Sequence, residues 1–127
     1  MMEPSITVSM ADYARLMALP SPPALRAELE RAIVVPSESM PPSIVSMHAL
    51  VRYRDEDSGQ IREVELVYPD EANPGAGRVS VFAPVGAALI GLNLGESIEW
   101  EFPDGSLRRL RVLAVRPPLP PPANPAH

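Results

Sequence analysis

Two histidines, one acidic run and one glycine pair are the groups whose type and spacing invite a chemical reading. His48 and His127 lie far apart, and neither has a ligand partner at metal-binding spacing. His48 reads as a surface or strand-end histidine. Asp55-Glu56-Asp57 is the densest acidic run. Clustered carboxylates suit a hard cation, but Ser58-Gly59 follows at once, so a solvated turn tip is the better reading. Gly75-Ala76-Gly77 follows Pro74 without a phosphate fingerprint and reads as a loop. There is no cysteine, hence no thiolate metal site, disulfide or cysteine nucleophile. All basic residues are arginine, 11 in number, which removes a P-loop lysine, a Schiff-base lysine and a lysine base. No Gly-x-Ser-x-Gly elbow occurs. The chain is expected not to be an enzyme and to hold neither cofactor nor metal.

With no reaction centre to position, the elements must build a binding surface. The length of 127 residues suits one domain with an appendage. The aromatic residues are one Trp, three Tyr and two Phe, so the core must be mostly Val, Leu, Ile and Ala. A net charge of -5 provides no field that would draw the chain to free nucleic acid or anionic lipid. The segment Met1 to Val8 lacks both a basic start and a long apolar run, so no signal peptide is expected. The longest apolar stretch, Ala83 to Leu94, is too short for a membrane span and carries Pro84, Gly86 and Gly91. A cytoplasmic monomer is expected.

Composition divides the chain into residues 1–35, 36–45, 46–116 and 117–127. In the first, Ser9 is a candidate helix N-cap with Asp12 answering it in a capping box. Tyr13, Leu16 and Met17 fall on one helical face, and Pro20 ends the run. Ser21 reads as the cap of a second helix with Pro22 at N1, and Leu25, Leu29, Ala32 and Ile33 as its apolar stripe. A turn this short makes the two helices an antiparallel hairpin. Pro36, Pro41 and Pro42 mark a linker. Strands are expected at Leu50–Asp55, Ile61–Tyr68, Val79–Ala83, Ser97–Phe102 and Leu107–Arg116, with one helix at Val85 to Leu92 after Pro84. Mixed strands around one helix make an α+β domain. Val64, Leu66 and Tyr68 share a strand face, as do Ile98, Trp100 and Phe102. A three-residue loop, Asp104 to Ser106, would place Trp100 opposite Leu110 and Ile98 opposite Val112, keeping arginine off the apolar face. Residues 117–127 carry Pro117, Pro118, Pro120, Pro121, Pro122 and Pro125 and read as an extended, mobile tail.

From Leu66 onward the order of residues becomes specific. Leu66-Val67-Tyr68-Pro69-Asp70-Glu71-Ala72-Asn73 leads to Gly77-Arg78-Val79-Ser80-Val81. Ala83-Pro84-Val85-Gly86-Ala87-Ala88-Leu89-Ile90-Gly91 follows, then Leu94-Gly95-Glu96-Ser97-Ile98 and Trp100-Glu101-Phe102-Pro103-Asp104-Gly105. Over about Ser46 to Val115 this resembles the C-terminal domain of the GreA/GreB transcription elongation factors. The segments Ala83 to Leu89, Ser97 to Glu101, Ala27 to Ala32 and Met40-Pro41 are similar to the short-armed branch called regulators of nucleoside diphosphate kinase. The resemblance implies an FKBP-like domain, with an antiparallel sheet and one short helix, beneath a short antiparallel coiled coil. It implies binding to RNA polymerase at the β′ rim of the secondary channel, with contact through Ala83, Pro84, Val85 and Gly86. Phe82 stands where the family carries an acidic residue, and Ala83 where it carries serine, which implies an apolar contact.

Cleavage factors of that family carry acidic residues at the tip of a long coiled coil, where they help hold a catalytic Mg²⁺. Here the tip is Leu19-Pro20-Ser21-Pro22-Pro23, and the nearest acids, Asp12 and Glu28, lie back from it. Arms of about 12 residues reach only roughly 18 Å. The resemblance and the missing tip together imply a non-catalytic regulator that competes with Gre-type factors for the channel entrance. Two other readings stay open: an FKBP-like peptidyl-prolyl isomerase, and a module that contacts nucleoside diphosphate kinase directly.

Overall fold

The computed structural model describes residues 5–118; the expected mobile tail falls largely outside them, as does His127. The chain runs β1 (Thr7–Ser9), α1 (Met10–Ala18), α2 (Pro23–Glu30), β2 (Ile33–Val35), β3 (Leu50–Asp55), β4 (Ile61–Val67), β5 (Arg78–Ser80), α3 (Pro84–Leu89), β6 (Ser97–Glu101) and β7 (Leu107–Arg116). Single 3-10 turns occupy Ser37–Ser39, Pro69–Glu71 and Pro74–Ala76. Strands β3 to β7 form one sheet in the order β5-β4-β3-β7-β6.

That sheet is mixed, where an antiparallel one was expected. β4 pairs β5 in parallel, Leu66 opposite Val79. The physical reason lies between them: Pro69 and Pro74 each open a 3-10 turn, and the doubled-back loop returns the chain in its original direction. The other pairings are antiparallel. β5 is also shorter than expected, because the Ser80 side chain accepts the Phe82 N–H and closes a turn.

The helix starts follow from side-chain chemistry. Ser9 caps α1, accepting the Asp12 N–H at 3.1 Å. The expected capping box is only half made, because the Asp12 carboxylate turns away to accept the Met47 N–H. Ser21 is not the cap of α2. Its hydroxyl donates back to the Leu16 carbonyl at 2.8 Å, and α2 begins one residue later than expected, with Pro22 at the cap and Pro23 at N1. Ile33 leaves the expected helical stripe. The helix stops at Arg31, and Ile33 enters β2 with 55% of its surface exposed. β2 pairs in parallel with β1, a two-stranded element that periodicity over three residues cannot reveal.

The β6–β7 hairpin corrects a further expectation. Its loop has three residues, but they are Pro103 to Gly105, flanked by the Phe102 N–H bonded to the Ser106 carbonyl. Trp100 therefore faces Arg108 and Ile98 faces Leu110. Two local preferences decide this: Pro103 suits the first corner of a turn closed from Gly105 to Phe102, and Asp104 accepts both the Ser106 N–H and hydroxyl. An arginine does sit on the apolar face, and its guanidinium lies over the Phe102 ring at 4.8 Å from the centroid.

The expected division between residues 1–35 and 46–116 is not a division in the core. Ile6, Val8, Leu16, Leu25 and Leu29 belong to one buried cluster with Val45, Val51, Leu66, Leu89 and Leu110. Leu16 and Leu25 are wholly buried, which two helices standing free in solvent could not achieve. The entry of β1 is tied to the domain by the Thr7 N–H, bonded to the Gly91 carbonyl.

Candidate functional site

The segment Ala83 to Gly86 forms the corner between β5 and α3. The Ala83 N–H bonds back to Ser80 and its carbonyl accepts from Ala87, so Ala83 is the N-cap and Pro84 fills N1, where no N–H is needed. Ala83, Pro84 and Val85 are half-buried and reach the surface; Gly86 is buried. A Cβ on Gly86 would lie 2.2 Å from the Ser80 carbonyl oxygen and 2.9 Å from the Val81 Cα. Gly86 thus lets α3 press against the end of β5, while its neighbours carry the exposed surface.

Two clefts flank that corner. One, of about 390 Å³, is lined by Tyr53, Val64, Val79, Pro84, Val85 and Phe102 among others. The second, of about 450 Å³, has Phe82, Trp100 and Phe102 with Pro22, Pro84 and Pro103. Trp100 packs against the core and is half-buried at this groove. The α2 start contributes to the same wall, which compositional reading of a separate arm could not show. Burial raises the Tyr53 phenol above its ordinary value. The lining is mainly apolar, with Arg62, Glu63 and Glu101 at its margins, and suits protein contact.

A polar cluster joins the helices to the sheet domain. Asp12 on α1 accepts the Met47 N–H at 3.1 Å and the Tyr68 hydroxyl at 3.4 Å. The Arg15 guanidinium stacks 3.8 Å from the Tyr68 ring centroid. His48 approaches the same ring edge-on and its Nε2 lies 2.8 Å from Glu71. Burial, with the Asp12 charge beside it, pushes the Tyr68 phenol far up. The hydrogen bond to His48 holds the Glu71 carboxyl below its usual range. His48 has φ +68°, a left-handed conformation rare outside glycine. Sequence reading left His48 as a surface residue and did not group these side chains; the Pro69-Asp70-Glu71 turn was the one signal available.

The acidic run is fully engaged by the protein itself. Asp55 accepts the Asp57 and Ser58 amides, Glu56 bridges Arg54 and Arg111 at 3.0 and 2.6 Å, and Asp57 accepts the Arg109 N–H. The Arg111 hydrogen bond keeps the Glu56 carboxyl below its usual range. Among the described residues no group of three or more His, Cys, Asp or Glu is placed to hold a metal. The acids nearest the α1–α2 turn are also committed, Asp12 as above and Glu28 to Arg31 at 2.7 Å.

Comparisons with known proteins agree on one family. The model described as "Transcription elongation factor, GreA/GreB, C-term" matches residues 37–117. The "Regulator of nucleoside diphosphate kinase" of Escherichia coli (strain K12) is 39% identical over 124 residues, 91% of each chain. "Transcription elongation factor GreA" of Thermodesulfovibrio yellowstonii is 39% identical over 79 residues, 62% of this chain but 50% of that protein. Among solved structures, "Prokaryotic transcription elongation factor GreA/GreB from Nitrosomonas europaea" superposes with a TM-score of 0.70 at 40% identity, covering 90% of this chain and 99% of that one.

Proposed function

Since the chain belongs to the GreA/GreB family, we propose that it is a non-catalytic transcription regulator of the regulator-of-nucleoside-diphosphate-kinase type, acting on RNA polymerase. It binds at the rim of the secondary channel on the β′ subunit and competes there with longer-armed Gre-type factors. The contact runs through Ala83, Pro84 and Val85, with Gly86 holding the corner in place. It does not stimulate transcript cleavage.

The observation that carries this reading is the α1–α2 turn. Cleavage in this family needs free carboxylates at the tip to hold a hard cation. Here residues 19–23 supply none, and the nearest acids are already paired, Asp12 with the Met47 amide and Glu28 with Arg31 at the surface. α1 and α2 have 9 and 8 residues, shorter than expected from sequence, so each spans only about 12–14 Å. Such a molecule occupies an entrance and does not reach a distant active centre. The half-buried apolar corner at Pro84 supports a contact without the polar groups of longer-armed relatives.

The test is binding of the purified chain to core RNA polymerase with GreA as competitor. Saturable binding displaced by GreA is expected, and Pro84→Asp, which places a charge at the corner, should weaken it at least tenfold, about 1.4 kcal/mol. No binding at micromolar concentration would overturn the reading.

A further inference from the structure

The groove beside the α3 corner has a composition that points to its occupant. Phe82, Trp100 and Phe102 line it, half-buried, and Pro22, Pro84 and Pro103 frame them. Aromatic side chains spaced along a shallow apolar groove are the recognition device for a polyproline II helix. That helix presents prolines to the rings and loses little entropy on binding. The chain carries such a ligand itself: Leu119-Pro120-Pro121-Pro122 follows the last described residues.

Reach decides which copy supplies it. Trp100 lies opposite Arg108 in the β6–β7 ladder. Arg108 is about eight residues up the strand from Arg116, a distance of roughly 26 Å. Pro122 follows Arg116 by about six residues, which span at most about 22 Å even fully extended. On this estimate the proline run of one chain falls short of its own Trp100, which favours a second copy as its source. We propose that the groove receives residues 119–122 of a second copy of this chain, as a polyproline II segment packed on Trp100 and Phe102. Exchanged between two molecules, the contact makes a weak, concentration-dependent dimer of closed two-fold type. The inference does not depend on the polymerase reading. The two contacts share Pro84, so where both form they exclude each other.

The chain has one tryptophan, and it lies in the groove, so its emission reports occupancy. The experiment records Trp100 emission and light-scattering mass for the full chain from micromolar to millimolar concentration. The same series is run for a full-length variant carrying Pro120→Ala, Pro121→Ala and Pro122→Ala. A blue shift and rise in mass with concentration are expected for the wild type and not for the variant. A free peptide of residues 117–127 should sustain the blue shift while lowering the mass. Concentration-independent emission in the wild type, or an identical series from the variant, would overturn the proposal. So would an emission difference between the two that does not vary with concentration, since that would place the segment on its own chain.

Discussion

Gly86→Ala is a change whose sign separates two physical arguments. In an exposed helix, alanine is favoured over glycine by about 1 kcal/mol, so helix propensity alone predicts a more stable protein. The close approach of α3 to β5 predicts the reverse. The new Cβ would lie 2.2 Å from the Ser80 carbonyl oxygen, 2.9 Å from the Val81 Cα and 3.0 Å from a Leu66 methyl. Two of those neighbours are backbone and cannot rotate away. Relief requires α3 to withdraw by about 1 Å, which loosens contacts that now bury Ala88 and Leu89 completely. Overpacking of this kind costs about 1–3 kcal/mol and occasionally more; against fixed backbone the upper part of that range applies. Net of the propensity gain, a loss of about 2 kcal/mol is expected. Urea unfolding followed by far-UV circular dichroism measures it as a lower midpoint with an unchanged slope. Gly75→Ala is the control, since its Cβ would meet only the Asn73 side chain at 3.7 Å; it should stay within about 0.5 kcal/mol of wild type. A Gly86→Ala midpoint equal to or above wild type would refute the close-approach argument, and with it the account of how the Pro84 corner is held.

Leu25→Ala tests whether the helices are part of the core. Leu25 is 0% exposed, so the truncation should cost about 2–5 kcal/mol in a urea titration; a loss below about 0.5 kcal/mol would mean that the helices stand apart from the domain. Glu71→Gln tests the latch at His48. Because His48 holds the folded-state carboxyl below its ordinary value of 4.5, the contribution is present above that pH and is lost as pH falls through the folded value. The wild type should therefore exceed the variant in stability near neutrality, and the gap should close in acid. With both side chains more than a third exposed, the gap will be small. A gap that persists once the Glu71 carboxyl is protonated would contradict the assignment.

Much of the architecture follows from local rules visible in the sequence. The bounds of β3 and β7, the cap at Ser9 and Pro84 at N1 depend on neighbours within one turn or on strict alternation, and the structure agrees with each. The family was legible for another reason: its motifs lie in a fixed order from Leu66 to Gly105, and the match over residues 37–117 agrees. Other features were beyond local reading because their causes are distant in the chain. Asp12 gives up its capping box for the Met47 amide, 35 residues away. β1 and β2 are three residues each and exist only because they meet each other, with β1 also held at Gly91. The hairpin register escapes sequence reading because an arginine counts as unfavourable on the apolar face, whereas folding brings Phe102 beneath Arg108. The corner at Ala83 to Gly86 was named from sequence, but which of the four residues reach solvent was not. A residue's type determines what it can bury or bond; only tertiary packing determines which surface it meets, and a single Cβ against the Ser80 carbonyl is enough to make Gly86 support and its neighbours surface.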